Sequence, residues 1–396
     1  MAKLKVFLLK IAKKLPTVIV TAFFTLLIAF LALGGDISRV FEQVSLIKKV
    51  TTVDTKVNKY AVDFSQNSEK VGDRLCQSYI QMLDNDDYAY YFSKDDFARK
   101  EKEREGVSDK SIGITIAIKE NEKYPTVCFV HSNSPAKKAG IKKGDKLIKI
   151  NGVSLKEKPI EDAVRLIKQK NTAKINVKRG KKTLEKSVKL GVFVYDSVTY
   201  RMINTSCVVA ITSFDESTLK QFDKALEFIK KNNAKSVVFD LRNNPGGYVD
   251  ICAKILDKVL KKGDTVRLKT KYGKITTEYT SDEKNNLSLP FAVIVNSETA
   301  SAAEIFAMNM RDLGKGKIVG EKTFGKGIAQ TTYDLGDGTA IKFTTETVID
   351  KNGKTYHKKG IEPDYKVKFN EYQNRNYYFL SDKEDSQLQK ALEVVK

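Results

Sequence analysis

Histidine is scarce in this chain of 396 residues: His131 and His357 are the only two. A Ser-His-Asp triad would have to use one of them, and the H-E-x-x-H pattern of a helical zinc site is absent. Cysteine is nearly as rare. Cys76, Cys128, Cys207 and Cys252 stand far apart with no C-x-x-C pair, which argues against a zinc ribbon or a disulfide scaffold. The expectation for them is four small buried hydrophobes, with no metal and no organic cofactor. Internal repeats, low-complexity tracts, zinc-finger spacing, an Arg-rich arm and RNP-like aromatics are also missing. The net charge of +21, from 70 basic and 49 acidic residues, is spread along the whole chain. It suits an anionic partner such as acidic lipid or a cell envelope, and no nucleic-acid surface is expected. What is present is an ordinary globular balance, 41% hydrophobic and 30% charged. The length allows two or three domains of roughly 100–200 residues each.

Residues 1–14 carry Lys3, Lys5, Lys10, Lys13 and Lys14 and no acid, and the run Leu15–Gly35 carries no charge at all. About 21 residues at 1.5 Å each span roughly 30 Å, the thickness of a bilayer core. The preceding lysines place the N-terminus in the cytoplasm and everything after Asp36 outside. Ala32-Leu33-Gly34 loosely resembles a signal-peptidase site, but the run exceeds the roughly 7–15 apolar residues of a signal peptide. It therefore reads as an uncleaved single-pass anchor in the cell membrane. Residues 36–106 read as a polar, helix-prone segment, with Val40, Val44 and Ile47 at helical spacing. Within it, Asp95–Glu105 is densely charged and reads as a solvated helix or linker.

Over residues 107–192 short strands and turns take over. Ile112–Ile118 alternates with a period of two, Thr126–Val130 reads as a second strand, and Leu147–Ile150 leads into Asn151-Gly152, a type I′ hairpin signal. Residues 159–169 read as a helix with Ala163, Val164 and Ile167 on one face. The string Ser134-Pro-Ala-Lys-Lys-Ala-Gly-Ile141, followed by Gly144-Asp145, Leu147 and Ile150-Asn151-Gly152, resembles a PDZ domain of the bacterial protease-associated type. The resemblance implies capture of peptide C-termini by strand addition. It places the carboxylate-binding loop on Ser111, Ile112, Gly113 and Ile114.

Residues 193–370 alternate strand and helix, the pattern of an α/β layer structure with crossover connections. One stretch suits chemistry. The apolar strand Phe291–Asn296 runs through small residues into a helix at Ser301. Unpaired N–H groups of the helix's first turn, such as that of Ala302, would stabilise an oxyanion there. Serine is also a common helix cap, so the local pattern alone leaves both roles open. A nucleophilic serine needs a base, and with histidine so scarce lysine is the remaining common choice. Lowering a lysine pKa from about 10.4 to about 7 requires about 4.6 kcal/mol of unfavourable burial in a pocket without a carboxylate. Gly325-Lys326-Gly327 supplies a lysine on a loop able to approach another backbone, but Gly314-Lys315-Gly316 offers the same tripeptide, and spacing does not choose between them.

Four motifs in order bear on that choice: Asp240-Leu-Arg-Asn-Asn-Pro-Gly-Gly247, Ser301-Ala-Ala-Glu-Ile305, Val319-Gly-Glu-Lys-Thr-Phe-Gly-Lys326-Gly327 and Lys359-Gly-Ile-Glu-Pro-Asp364. Together they resemble the carboxyl-terminal processing peptidases, also called tail-specific proteases. The resemblance implies a crotonase-like or ClpP-like layered α/β core and a Ser–Lys dyad, with Ser301 as nucleophile, Lys326 as base and Gln330 orienting the lysine. It places the oxyanion donors on Gly246, Gly247 and Ala302. It also implies polypeptide substrates with apolar or small C-terminal residues, and a homodimer built through residues 37–100 and 373–396. The sequence departs from the family where Asn296-Ser-Glu-Thr-Ala300 replaces a Gly-Ser or Ser-Ala-Ser stretch, which brings Glu298 near the site. Asp240 and Arg242 read as structural, holding the oxyanion turn. The expected architecture is thus a basic segment (1–14), an anchor (15–35), a helical segment (36–106), a PDZ domain (107–192), a peptidase core (193–370) and a C-terminal helical segment (371–396). A catalytically silent PDZ scaffold or chaperone of the envelope is the alternative.

Overall fold

The computed structural model describes residues 37–61, 68–84, 86–282, 284 and 287–396. The basic segment 1–14 and the apolar run 15–35 lie outside the described residues. Among the described residues no helix is long and apolar enough to cross a membrane. The chain divides between Arg74 and Leu75 into two units. In the first, helix α1 (Ile37–Tyr60) leaves Val44 and Ile47 55% and 61% exposed, so these two positions line no core among the described residues. Helix α2 (Ser68–Gln81) crosses the division.

The second unit opens with strand β1 (Tyr90–Phe92) and helix α3 (Lys94–Arg104), whose N-cap Ser93 accepts a hydrogen bond from the Asp96 N–H. The next domain comprises β2 (Ile114–Ala117), β3 (Thr126–Val130), α4 (Pro135–Lys138), β4 (Lys146–Ile150), β5 (Val153–Ser154), α5 (Ile160–Lys168), β6 (Thr172–Arg179) and β7 (Lys182–Lys189). Its strands lie in the order β2-β3-β4-β6-β7, with β5 on β4, so β2 is an edge. The β4–β5 turn has φ of 52° at Asn151 and 85° at Gly152, the positive pair that a type I′ hairpin requires. Chain enters and leaves this domain side by side: Val107 pairs with Val194 and Ser111 with Gly191, both antiparallel.

The remaining elements are β8 (Val198–Ile203), β9 (Ser206–Ile211), α6 (Glu216–Lys231), β10 (Ser236–Asp240), α7 (Val249–Asp257), β11 (Gly263–Thr270), β12 (Ile275–Ser281), β13 (Phe291–Val295), α8 (Ala302–Asp312), β14 (Lys317–Gly320), β15 (Ile328–Asp334), β16 (Ala340–Ile349), β17 (Tyr365–Lys366), α9 (Glu371–Arg375) and α10 (Ser386–Val394). A mostly parallel sheet runs β17-β14-β13-β10-β9-β8. Its central strands β9, β10 and β13 are buried on both faces and read as near-continuous apolar runs, such as Val237-Val238-Phe239 and Phe291–Val295. One face packs on α6, α7 and α8, with Val266 of β11 and Val348 of β16 in the same core. The other face packs on Leu388, Ala391, Leu392 and Val395 in and beside α10. An antiparallel sheet, β1-β16-β11-β12 with β15 on β16, completes the layers.

Two segments differ from expectation. Residues 36–106 are helical only in part, because Tyr90–Phe92 joins β16 with Tyr90 opposite Lys342 and Phe92 opposite Ala340. The C-terminal segment is helical, but the apolar face of α10 is already used against its own sheet. Buried Arg242 fastens it there through Asp385 and Gln387, while also pairing with Asp240. Asp240 and Arg242 are structural, and what they hold is this C-terminal segment. Of the cysteines, Cys128, Cys207 and Cys252 are buried as expected, whereas Cys76 on α2 is exposed.

Candidate active site

Ser301 stands between β13 and α8 with φ 56° and ψ −121°. An ordinary N-cap has β-region angles. This left-handed geometry for a residue with a Cβ is strained, and it is the sharp strand-to-helix turn that lifts a serine hydroxyl clear of its backbone. The turn is held from three sides. Ala300 N–H donates to Asn244 O at 3.0 Å, Phe324 N–H donates to Thr299 O at 3.0 Å, and Thr299 Oγ1 donates to Leu241 O at 2.9 Å. Glu298 is exposed and does not line the cleft into which Ser301 faces.

Beneath the turn lies Glu304, with no solvent exposure. Its carboxylate accepts four hydrogen bonds: Ser301 N–H at 2.9 Å, Thr323 Oγ1–H at 2.5 Å, Gly325 N–H at 2.8 Å and Lys326 N–H at 2.8 Å. One carboxylate thus joins the backbone of Ser301 to that of the loop bearing Lys326. Burial pushes its pKa above the ordinary carboxylate range, and the four donors pull against that.

Ser301 and Lys326 line one cleft of about 830 Å³, together with Gly247, Gln330 and residues of α3 and β16. The glycines beside Lys326 let its loop lie against residues 357–360. A Cβ at Gly325 would stand 2.8 Å from Gly360 N, and one at Gly327 would stand 2.7 Å from His357 N. Lys326 is half-buried and makes no ion pair among the described residues. Its pKa is held below the ordinary lysine value, first by burial and then by the Lys342 charge, against the opposing pull of Asp86 and Glu304. Its Nζ lies 3.9 Å from the centre of the Tyr88 ring. Lys315 is elsewhere: exposed, beyond the far end of α8, about 16 Å of helix from Ser301. Gln330 reaches the same cleft, but its Nε2 donates to Thr344 Oγ1 at 3.2 Å. Neither histidine lines the cleft: His357 has a buried Nδ1 with no hydrogen-bond partner among the described residues, and His131 Nδ1 accepts from Asp196 N–H.

The two glycines of the Asn244-Pro245-Gly246-Gly247 loop are not equivalent. Gly246 N–H donates to Asn244 Oδ1 at 2.8 Å. Phe214 N–H donates to Gly246 O and Tyr248 N–H donates to Phe214 O, which turns the intervening Gly247 N–H away from Phe214, and Gly247 lines the cleft. The Gly246 N–H is thus taken, while the Gly247 N–H is left clear on the cleft side. Gly246 acts by its lack of a side chain. A Cβ there would stand 2.8 Å from Ser301 Cβ and 2.9 Å from Ala302 N, at φ 105°. Gly246→Ala is expected to cost about 1–3 kcal/mol in stability and, by displacing Ser301, about 10²-fold in kcat/KM. Thermal unfolding and steady-state kinetics check both parts.

In the expected peptide-binding loop, Ser111 N–H is already used by Gly191 O, and Ile112 is buried. Gly113, at φ 76°, packs where a Cβ would meet Ser134 and Phe193. Ile114 starts β2, whose outer edge carries no strand among the described residues. Sequence reasoning did not single out Glu304, Tyr88, Lys100 or Lys342. Only Glu304 had a signal, the Ser-x-x-Glu spacing of a reciprocal cap.

Residues 101–178 match the PDZ domain and residues 205–367 match Peptidase family S41. A probable CtpA-like serine protease of Staphylococcus aureus (strain MRSA252) is 31% identical over 369 residues, covering 91% of this chain and 72% of the relative. That of Staphylococcus haemolyticus (strain JCSC1435) is 33% identical over 313 residues, which are 78% of this chain but only 62% of the relative. The solved photosystem II D1 C-terminal processing protease shares the fold with a TM-score of 0.50 and 22% identity, covering 81% of this chain and 86% of its own. Fold and matches together define a class, a PDZ domain joined to an S41 peptidase core. Within it, the chain belongs to the CtpA-like serine proteases.

Proposed function

We propose that the chain is a membrane-anchored, extracytoplasmic serine endopeptidase that takes hold of protein C-terminal tails and cleaves near them with a Ser301–Lys326 dyad. The observation that carries this reading is Ser301 on a strained strand-to-helix turn, facing the same cleft as a half-buried lysine without an ion pair. Neutral Lys326 takes the Ser301 proton, and Oγ attacks the scissile carbonyl. The oxyanion meets the Gly247 and Ala302 N–H groups, and Lys326 gives its proton to the leaving amine. The acyl-enzyme is then hydrolysed by a water that Lys326 deprotonates. Gln330 helps to place Lys326 from the same cleft wall. The open edge of β2 accepts the tail as an added strand, with its carboxylate at residues 111–114. The apolar run 15–35 is the anchor. A silent scaffold is the second reading.

Cleavage of unfolded casein by the full chain tests the proposal. Activity in the wild type and Lys315→Ala, and none in Lys326→Ala, is the expected result. Cleavage that survives Lys326→Ala would remove that residue as base, and a chain that never cuts, even with an apolar C-terminal peptide added, would favour the scaffold.

The Tyr88 ring bears on the pH profile. An aromatic face favours the ammonium form of Lys326 and so opposes the base. Tyr88→Leu keeps apolar bulk but removes the π face. The Lys326 pKa should fall, and the acid limb of kcat/KM should move to lower pH by roughly half a unit. A limb that stays in place or moves upward would show that the ring acts only by burial.

A further inference from the structure

The cleft holds two more lysines that the mechanism does not use. Lys342 on β16 sits opposite Thr332 on β15, with their side chains on one face of the sheet. Lys100 arrives from α3, and its Nζ donates to Thr332 Oγ1 at 2.6 Å. Both ammonium groups lie over the ring of buried Phe92, at 4.9 Å for Lys100 and 5.5 Å for Lys342. Two cations from different elements thus converge on one aromatic ring, inside the cleft that Ser301 lines. Neither makes an ion pair among the described residues.

Carboxylates are near but occupied or turned away. Asp250 pairs with Arg104 and Lys254. Asp334 accepts from Gly336 N–H, and Asp86 accepts from Thr344 N–H and Oγ1–H. Glu101 reaches the cleft but no lysine there within ion-pair distance. Burial holds both lysines below their ordinary pKa, and Lys342 adds to the effect on Lys100, while Glu101 and Glu103 pull against it at Lys100 and Asp86 and Glu103 at Lys342. Half-buried cations that repel one another are a costly arrangement, and an anion between them relieves the cost.

We infer that Lys100 and Lys342 form a carboxylate-binding subsite of the cleft, which selects polypeptide substrates carrying a carboxylate beside the scissile bond. The inference rests on the peptidase reading above. The carboxylate comes either from an Asp or Glu side chain or from the end of the substrate chain. Thr332 holds Lys100 in place, and Phe92 keeps water off the inner side of the pair.

The test uses the full chain and three fluorogenic peptides of one sequence. One is C-terminally amidated with Glu at positions flanking the cleaved bond, the second has Gln there, and the third has Gln and a free C-terminus. The wild type should cleave one of the two carboxylate peptides about tenfold better in kcat/KM than the neutral peptide, mainly through KM and less so at high salt. Lys100→Gln/Lys342→Gln should bring that ratio close to one, and Lys100→Arg/Lys342→Arg should retain it. Preference for the Glu peptide assigns the side chain, and preference for the free end assigns the terminus. Equal cleavage of all three by the wild type overturns the subsite, as does a preference that survives the double Gln change. Fluorescence anisotropy of the same peptides on Ser301→Ala reads the subsite without turnover. Ser301→Ala cleaving at the wild-type rate would instead overturn the peptidase reading, while the anisotropy still decides the subsite.

Discussion

Ser301→Ala is expected to lower kcat/KM for an unfolded protein substrate by at least about 10⁴-fold, and Lys326→Ala by a similar factor. The double variant should be no worse than either single one, because a nucleophile and its base act as a unit. The fold should tolerate both. The Glu304 carboxylate bonds to the backbone N–H groups of these residues, so neither substitution removes a hydrogen bond from the buried network. Equal thermal unfolding with lost activity would separate chemistry from stability. Additive losses in the double variant would mean that the two residues do not form a dyad. Lys315→Ala serves as the control, since it removes only an exposed side chain.

Glu304→Gln should lower both stability and activity, for a different reason. All four partners of the carboxylate are donors. A glutamine presents one oxygen and one NH₂ group, so about half of those donors would face another donor. Each buried donor left unsatisfied costs about 1–3 kcal/mol, which puts the total near 3–5 kcal/mol. The unfolding midpoint should fall by several degrees. Activity should drop by about 10²-fold, because the turn at Ser301 and the loop at Lys326 lose their common anchor. Wild-type unfolding and kinetics in this variant would show that the turn and loop are held by packing alone.

That network marks where the sequence was legible and where it was not. The strand-to-helix entry at Ser301 could be read from an apolar run meeting small residues, and β13 and α8 fall where that pattern put them. The choice of Lys326 over Lys315 could not, since both sit between glycines. What distinguishes them is a loop path across residues 357–360, and no local pattern encodes that path. Glu304 stood inside a quoted motif and still went unnoticed. An acid three residues beyond a cap reads as a local bond, whereas here it also reaches twenty-two residues along the chain to Lys326 N–H.

Residues before the PDZ domain were the least legible. β1 has three residues, too few for a period to show. Helix α3 carries so much charge that it reads as solvated. Yet Phe97, Lys100 and Arg104, spaced three and four apart, form one face that lines the cleft. The antiparallel layer β11, β12, β15 and β16 was missed because its strands lie half-exposed, with polar side chains on the cleft face. The Gly246-Gly247 turn was legible as a pair of glycines but not as two different environments. The difference depends on Phe214, thirty-two residues upstream of Gly246, whose bridge leaves the Gly247 N–H facing away from it.

The paired entry and exit of the PDZ domain make it an insertion. Val107 and Val194 are bridged partners, so the chain leaves for this domain just after α3 and returns to the peptidase core just before β8 through points about 5 Å apart. A short turn could close that gap. The PDZ domain is in this sense a detachable module. A different peptide-binding domain whose ends lie equally close could be exchanged for it, changing which chains are brought to the cleft while leaving its chemistry alone.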